Sequence, residues 1–142
     1  PKAPEKPKYI QPTPPIPDDA PPVLIFAEQM PIFGDCLDEA DKALQKQCSD
    51  RAIMSFIGER IRYPAIAKEN GVSGNAVIRF VVEHDGTLSN IELIRDPGTG
   101  LGNEALRVVQ LMATEGAKWT PGKQRGRPVR VQFNLPVRFK LE

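Results

Sequence analysis

The residues with most chemistry to offer are Cys36 and Cys48, the only cysteines, and His84, the only histidine. One histidine and two thiols are too few for a tetrahedral zinc site. One continuous helix over 36–48 would hold the two sulfur-bearing residues about 18 Å apart along its axis. A disulfide needs Cα atoms within about 7 Å. A bridge and an unbroken helix therefore exclude each other. In the bridged reading, DCLDEADKALQKQC is a closed loop holding at most a turn or two of helix. In the other, two reduced thiols flank an amphipathic helix with Leu37, Ala40, Ala43 and Leu44 inward. Both stand at this point.

His84 lies beside Asp85 in EHDG, a tight-turn sequence with no nucleophile alongside. The carboxylates of DCLDEAD lack the spacing and glycine of a calcium loop. DPGTGLG is glycine-rich before a helix, an order suited to anions, but it lacks the lysine of a phosphate-binding loop. It reads as ordinary turn chemistry. Trp119 reads as a buried anchor rather than a stacking platform. No catalytic pair emerges, and neither a metal nor a cofactor is expected.

Elements that would position a site follow from hydrophobic period. Val131, Phe133, Leu135, Val137, Phe139 and Leu141 alternate with Arg130, Gln132, Asn134, Pro136, Arg138 and Lys140. That is the period of a strand with one dry face. Proline cannot donate to a ladder, so Pro136 marks an edge or a bulge. GNAVIRFVVEHDGTLSNIELIR reads as a hairpin turning at Asp85-Gly86. Leu88 is out of phase with Ile91 and Leu93, which predicts a bulge near Ser89–Asn90. Ser49 or Asp50 is the expected N-cap of a helix carrying Ile53, Phe56, Ile57 and Ile61 inward. Pro64 stops or restarts it, AIAKEN adds a turn, and Gly71 is a natural C′ residue. NEALRVVQLMA is a second helix, with Ala105, Val108, Val109 and Met112 inward and Gly116 at its end. WTPGKQRGRP reads as a loop.

The expected fold is α+β: a small antiparallel sheet of three strands, plus a short N-terminal strand at Val23–Glu28, with two helices on one face. Nine of the 15 prolines fall in residues 1–22, a composition that favours an extended spacer. The expected divisions are 1–22 as spacer, 23–49 as lead-in and 50–142 as the folded domain. A spacer implies something on its far side.

Net charge is +1, so no global field points to nucleic acid or a membrane. The charge is uneven. Residues 18–50 hold eight acidic and two basic side chains, and residues 117–142 hold seven basic and one acidic. These are either ordinary solvated faces or a basic C-terminal face that meets acidic or carbonyl-rich groups.

The run RYPAIAKENGVSGNAVIRFVVEHDGTLSNIEL, then NEALRVV, then KWTPGKQRGRPVRVQFNLPVRF, resembles the C-terminal domain of the TonB family over about residues 50–141. Tyr63-Pro64, Gly74, Phe80, Asp85-Gly86, Ala105, Trp119 and Pro121-Gly122 stand in that family's order. ATEGAK before Trp119 is longer than the family pattern. EQMPIFGDC resembles the lead-in of a subgroup with a cysteine pair before the Tyr-Pro helix. The resemblance implies a non-enzymatic periplasmic domain, tied to the inner membrane by an upstream helix and energised through ExbB–ExbD. Its implied partner is the TonB box, a short peptide of outer-membrane transporters for iron chelates, vitamin B12 or glycans. An oxidising compartment favours the Cys36–Cys48 bridge. The family's added strand would lie along Val129, Arg130, Val131, Gln132, Phe133, Asn134 and Leu135. Arg130 and Gln132 would fix register, and Arg60, Arg62 and Tyr63 would form a second contact region. Rival readings are a TolA-like module, the sensor tail of a membrane protease and a peptidoglycan-binding module.

Overall fold

The computed structural model describes residues 21–36 and 41–141. Residues 1–20 of the expected spacer at 1–22, and residues 37–40 of the acidic loop, lie outside the described residues.

Helix α1 runs Lys42–Arg60. It starts earlier than the expected cap at Ser49 or Asp50, because Asp41 caps it: the Asp41 carboxylate accepts from Leu44 N at 2.8 Å. Ser49 is instead buried inside α1, and its hydroxyl accepts from Phe33 N at 2.8 Å. Cys36 and Cys48 are bridged, with Cα atoms 5.7 Å apart. Among the described residues of the closed loop, Lys42–Cys48 is helical, about two turns, as the bridged reading required. Pro64 separates α1 from a third, short helix, α2, Ala65–Glu69. Beyond it Gly71 takes φ +66°, and Val72 N donates to Ala67 O at 2.8 Å. That closes the helix at the expected residue.

The strands are β1 (Val23–Leu24), β2 (Ile32–Phe33), β3 (Gly74–Val82), β4 (Leu88–Arg95), β5 (Trp119–Thr120), β6 (Gly122–Gln124) and β7 (Arg127–Phe139). Helix α3, Leu101–Thr114, joins β4 to β5. The main sheet has the order β1-β7-β3-β4, with β6 also paired to β7. The antiparallel β3–β4–β7 unit is the one the sequence predicts. β1 lies parallel to β7, so the sheet is mixed rather than purely antiparallel. The expected strand Val23–Glu28 keeps only its first two residues. The expected loop WTPGKQRGRP instead holds β5, β6 and the start of β7. Gln124 and Arg127 pair across a two-residue turn in which Arg125 and Gly126 have φ +52° and +76°, the signature of a type I′ hairpin.

Between β3 and β4 the register shifts from Arg79↔Glu92 to Val81↔Ser89. Asn90 sits in that bulge at φ +53°, where the broken phase placed it. A second shift separates Val77↔Arg95 from Ile78↔Leu93.

One core joins α1, α3 and the dry face of the sheet. Ile53 and Ile57 of α1 meet Ala105, Leu106, Val109 and Met112 of α3 over Ile78, Phe80 and Leu135. At its end Trp119 contacts three rings: Phe33 at 5.0 Å, Phe133 at 5.3 Å and Phe80 at 5.6 Å between centroids. Trp119 is thus the buried anchor expected. Each such buried aromatic contributes roughly 1.5–3 kcal/mol. The β3–β4 turn closes against it: Gly86 has φ +84°, and a Cβ there would lie 2.4 Å from Trp119 O, so only glycine fits.

Candidate partner-binding edge

Strand β7 owes its usefulness to what pairs with each side. Val131 has Val82 of β3 as partner on one side and Leu24 of β1 on the other. β1 and β3 therefore occupy opposite edges. β3 lies along Val131–Phe139, from Val82↔Val131 to Gly74↔Phe139. β1 stops after Arg130 and Val131. Among the described residues, no strand pairs with that second edge from Gln132 to Phe139.

Pro136 shows how the backbone groups are aimed. It is in register with Val77. Having no N–H, it occupies a non-hydrogen-bonded pair, and the pairs on either side, Ala76–Val137 and Ile78–Leu135, carry the bonds to β3. By that alternation the backbone groups of Gln132, Asn134, Pro136 and Arg138 face away from β3, toward the open edge. Their side chains stand on the outer face, where Asn134, Pro136 and Arg138 are exposed.

The opposite margin of the sheet is a poorer docking surface. β4 carries both register shifts, and Asn90 in left-handed conformation breaks its row of donors and acceptors. Of the two margins of the main sheet, β7 offers the unbulged stretch.

The expected contact residues divide into three groups. Val129 is taken by β6, opposite Gly122, and Arg130 and Val131 lie under β1. Gln132, Phe133, Asn134 and Leu135 lie on the open stretch, which continues to Arg138. Arg130 is not on a wet face. It is 7% exposed, its guanidinium reaches Glu83 at 2.7 and 3.2 Å, and it donates to Pro21 O at 2.7 Å. Burial works against the charge on Glu83, yet hydrogen bonds from Arg130 and Ser89 hold its carboxyl below the usual glutamate range.

Of Arg60, Arg62 and Tyr63, it is Tyr63 that lies at the other end of β7. Tyr63 packs edge-on against Phe139 at 5.7 Å and donates to Val72 O. Arg60 pairs with Glu115 at 2.9 Å and lies over the Phe56 ring at 3.7 Å. Both are committed to the fold. Arg62 is exposed, and its backbone N donates to Glu104 at 2.6 Å.

The remaining candidates resolve into structure. His84 is exposed in the β3–β4 turn, where Asp85 accepts from Thr87. In DPGTGLG the Asp96 carboxylate accepts from Gly98 N and Gly102 N at 2.8 and 3.1 Å. The chain's own carboxylate thus fills the start of α3, in keeping with turn chemistry. Asp35 meets Lys118 at 3.3 Å. Sequence reasoning missed Glu83, whose partner is 47 positions away. It also missed the cover that β1 and β6 place on residues 129–131.

No helix among the described residues is long and apolar enough to cross a membrane. Residues 59–141 match the family described as Gram-negative bacterial TonB protein C-terminal. The protein TonB of Vibrio cholerae serotype O1 is 33% identical over 81 residues, 57% of this chain and 32% of the relative. The chain therefore spans about a third of the length of that curated relative. The solution structure of Helicobacter pylori TonB-CTD (residues 194–285) superposes with TM-score 0.50 at 22% identity, covering 65% of this chain and 92% of that one. For the Pseudomonas aeruginosa TonB CTD the TM-score is 0.42 at 24% identity, over 58% and 79% of the two chains. The family match takes in the open edge, the Tyr63 end and the Trp119 anchor, and on it this chain belongs to the TonB C-terminal family, a periplasmic and non-enzymatic one.

Proposed function

We propose that this domain binds the TonB box of outer-membrane transporters by adding it as a strand to the open edge of β7. In that role it couples inner-membrane proton-motive force to nutrient uptake, with an upstream segment anchored in the inner membrane and reaching ExbB–ExbD. The observation that carries the reading is the edge itself: an unbulged row of backbone groups aimed away from β3, from Gln132 to Arg138. Main-chain pairing demands little of the partner's sequence, which suits a domain serving many transporters. A strand pulled along its length loads its hydrogen bonds in shear. Many must fail together, so a modest affinity is enough to transmit force.

Titration of the labelled domain with a synthetic TonB-box peptide tests this. Amide signals of Gln132, Asn134 and Arg138 are expected to shift or broaden. Shifts confined to other elements would place the partner elsewhere.

A further inference from the structure

The open edge of β7 is not vacant along its whole length. The chain's own β1 sits on it at Arg130 and Val131, and then departs. Continued in register, Ile25 and Phe26 would fall opposite Gln132 and Phe133. Instead they are 73% and 82% exposed. A two-residue ladder is a weak hold. Its loss would cost Arg130 one bond, to Pro21 O, while both bonds to Glu83 remain. No buried charge would be left without a partner.

The lead-in is held independently of β1. Gln29 and Lys123 exchange backbone bonds at 3.0 and 2.8 Å. β2 pairs with β5, and Cys36 is bonded to Cys48. β1 can leave the sheet while everything from Gln29 onward stays docked. A visiting strand could then pair from Arg130 to Arg138, whereas β1 covers two residues.

Resting on the strand-addition reading, we infer that β1 is a resident occupant of the docking edge, displaced when a partner strand binds. The partner it fits is an extended segment that, like Val23–Leu24, brings adjacent apolar residues to Arg130 and Val131. The tethered β1 competes at high effective concentration. The domain's apparent affinity is lowered by the fraction of time the edge is occupied.

The test uses Leu24→Pro, which removes a β1 donor, and two peptides followed through backbone amides. The first peptide, PPVLIFAE, copies residues 21–28. It is expected to shift Arg130 and Val131 in the variant and to bind the wild-type domain more weakly. Failure to bind the variant overturns the proposal. The second is a TonB-box peptide. In the wild-type domain it is expected to shift the Leu24 amide together with Gln132–Arg138. In the variant it should bind more tightly, about fivefold if the edge is free one-fifth of the time. An unmoved Leu24 and equal affinities, with Gln132–Arg138 still shifting, overturn displacement and leave strand addition standing. If the box peptide moves nothing on β7 while PPVLIFAE fills the emptied edge, the exchangeable strand stands and the box reading falls.

Discussion

Arg130 Nε lies 2.7 Å from Glu83 Oε1, joining the first residue of the β1-covered edge to the residue that follows β3. Both side chains are largely buried, and hydrogen bonds hold Glu83 charged. A folded carboxyl below its unfolded value stabilises the fold above the ordinary glutamate range. That stabilisation is lost as pH falls through the folded value. Glu83→Gln should cost about 2 kcal/mol at neutral pH. The variant should also lose less stability than wild type on acidification. Urea unfolding at neutral pH and below the glutamate range gives both differences. Equal losses on acidification would show that the pair contributes nothing.

The Cys36–Cys48 bridge holds β2 against α1, and β2 carries Phe33 onto Trp119 at 5.0 Å. Closing a loop of this size contributes roughly 2–3 kcal/mol, chiefly by restricting the unfolded chain. The double change Cys36→Ser, Cys48→Ser should lower stability by about that much and leave β3, β4, β7 and α3 folded. Trp119 is the single tryptophan, so its emission should shift toward the red as Phe33 loosens. Unchanged emission and stability would mean that packing alone holds the lead-in.

The strand alternation of β7 was legible because a period of two over twelve residues admits few other readings. The bulge at Asn90 was legible because Leu88 broke phase with Ile91. Pro136 pointed to an edge, and the structure aims its missing donor at one. What escaped depends on distant partners. β2, β5 and β6 are two or three residues long, too short for any period, and exist because tertiary pairing selects them. Arg130 looked like a wet-face residue, since nothing local announces Glu83 or Pro21 O, the latter 109 positions away. The start of α1 was misplaced because Asp41 and Ser49 are equally good caps by type. The outcome turned on Ser49 finding Phe33 N instead.

If Asn134 faces the open edge and Leu135 faces β3, proline should separate them. Asn134→Pro removes a donor that only a visitor would use. It should leave thermal stability within a few degrees of wild type while TonB-box binding falls below detection. Leu135→Pro removes a donor from the Ile78 pair and a buried side chain. It should cost about 3 kcal/mol or more. Circular-dichroism melting and peptide titration of both variants decide the register. Equal destabilisation by the two would refute the assigned facing.

Pro136 has one further consequence. It interrupts the donors of an edge that could otherwise pair with a second copy of itself. Because its nitrogen faces away from β3, Pro136→Val adds an N–H on the open side without disturbing the Val77 register. Valine also suits a strand better than proline does. The variant should fold at least as stably as wild type and self-associate as concentration rises, through pairing of one β7 with another. Sedimentation velocity across a concentration series reads this directly. A variant that stays monomeric at the highest concentration would show that Pro136 does not limit edge-to-edge pairing, and that β1 and the charged outer face protect the edge instead.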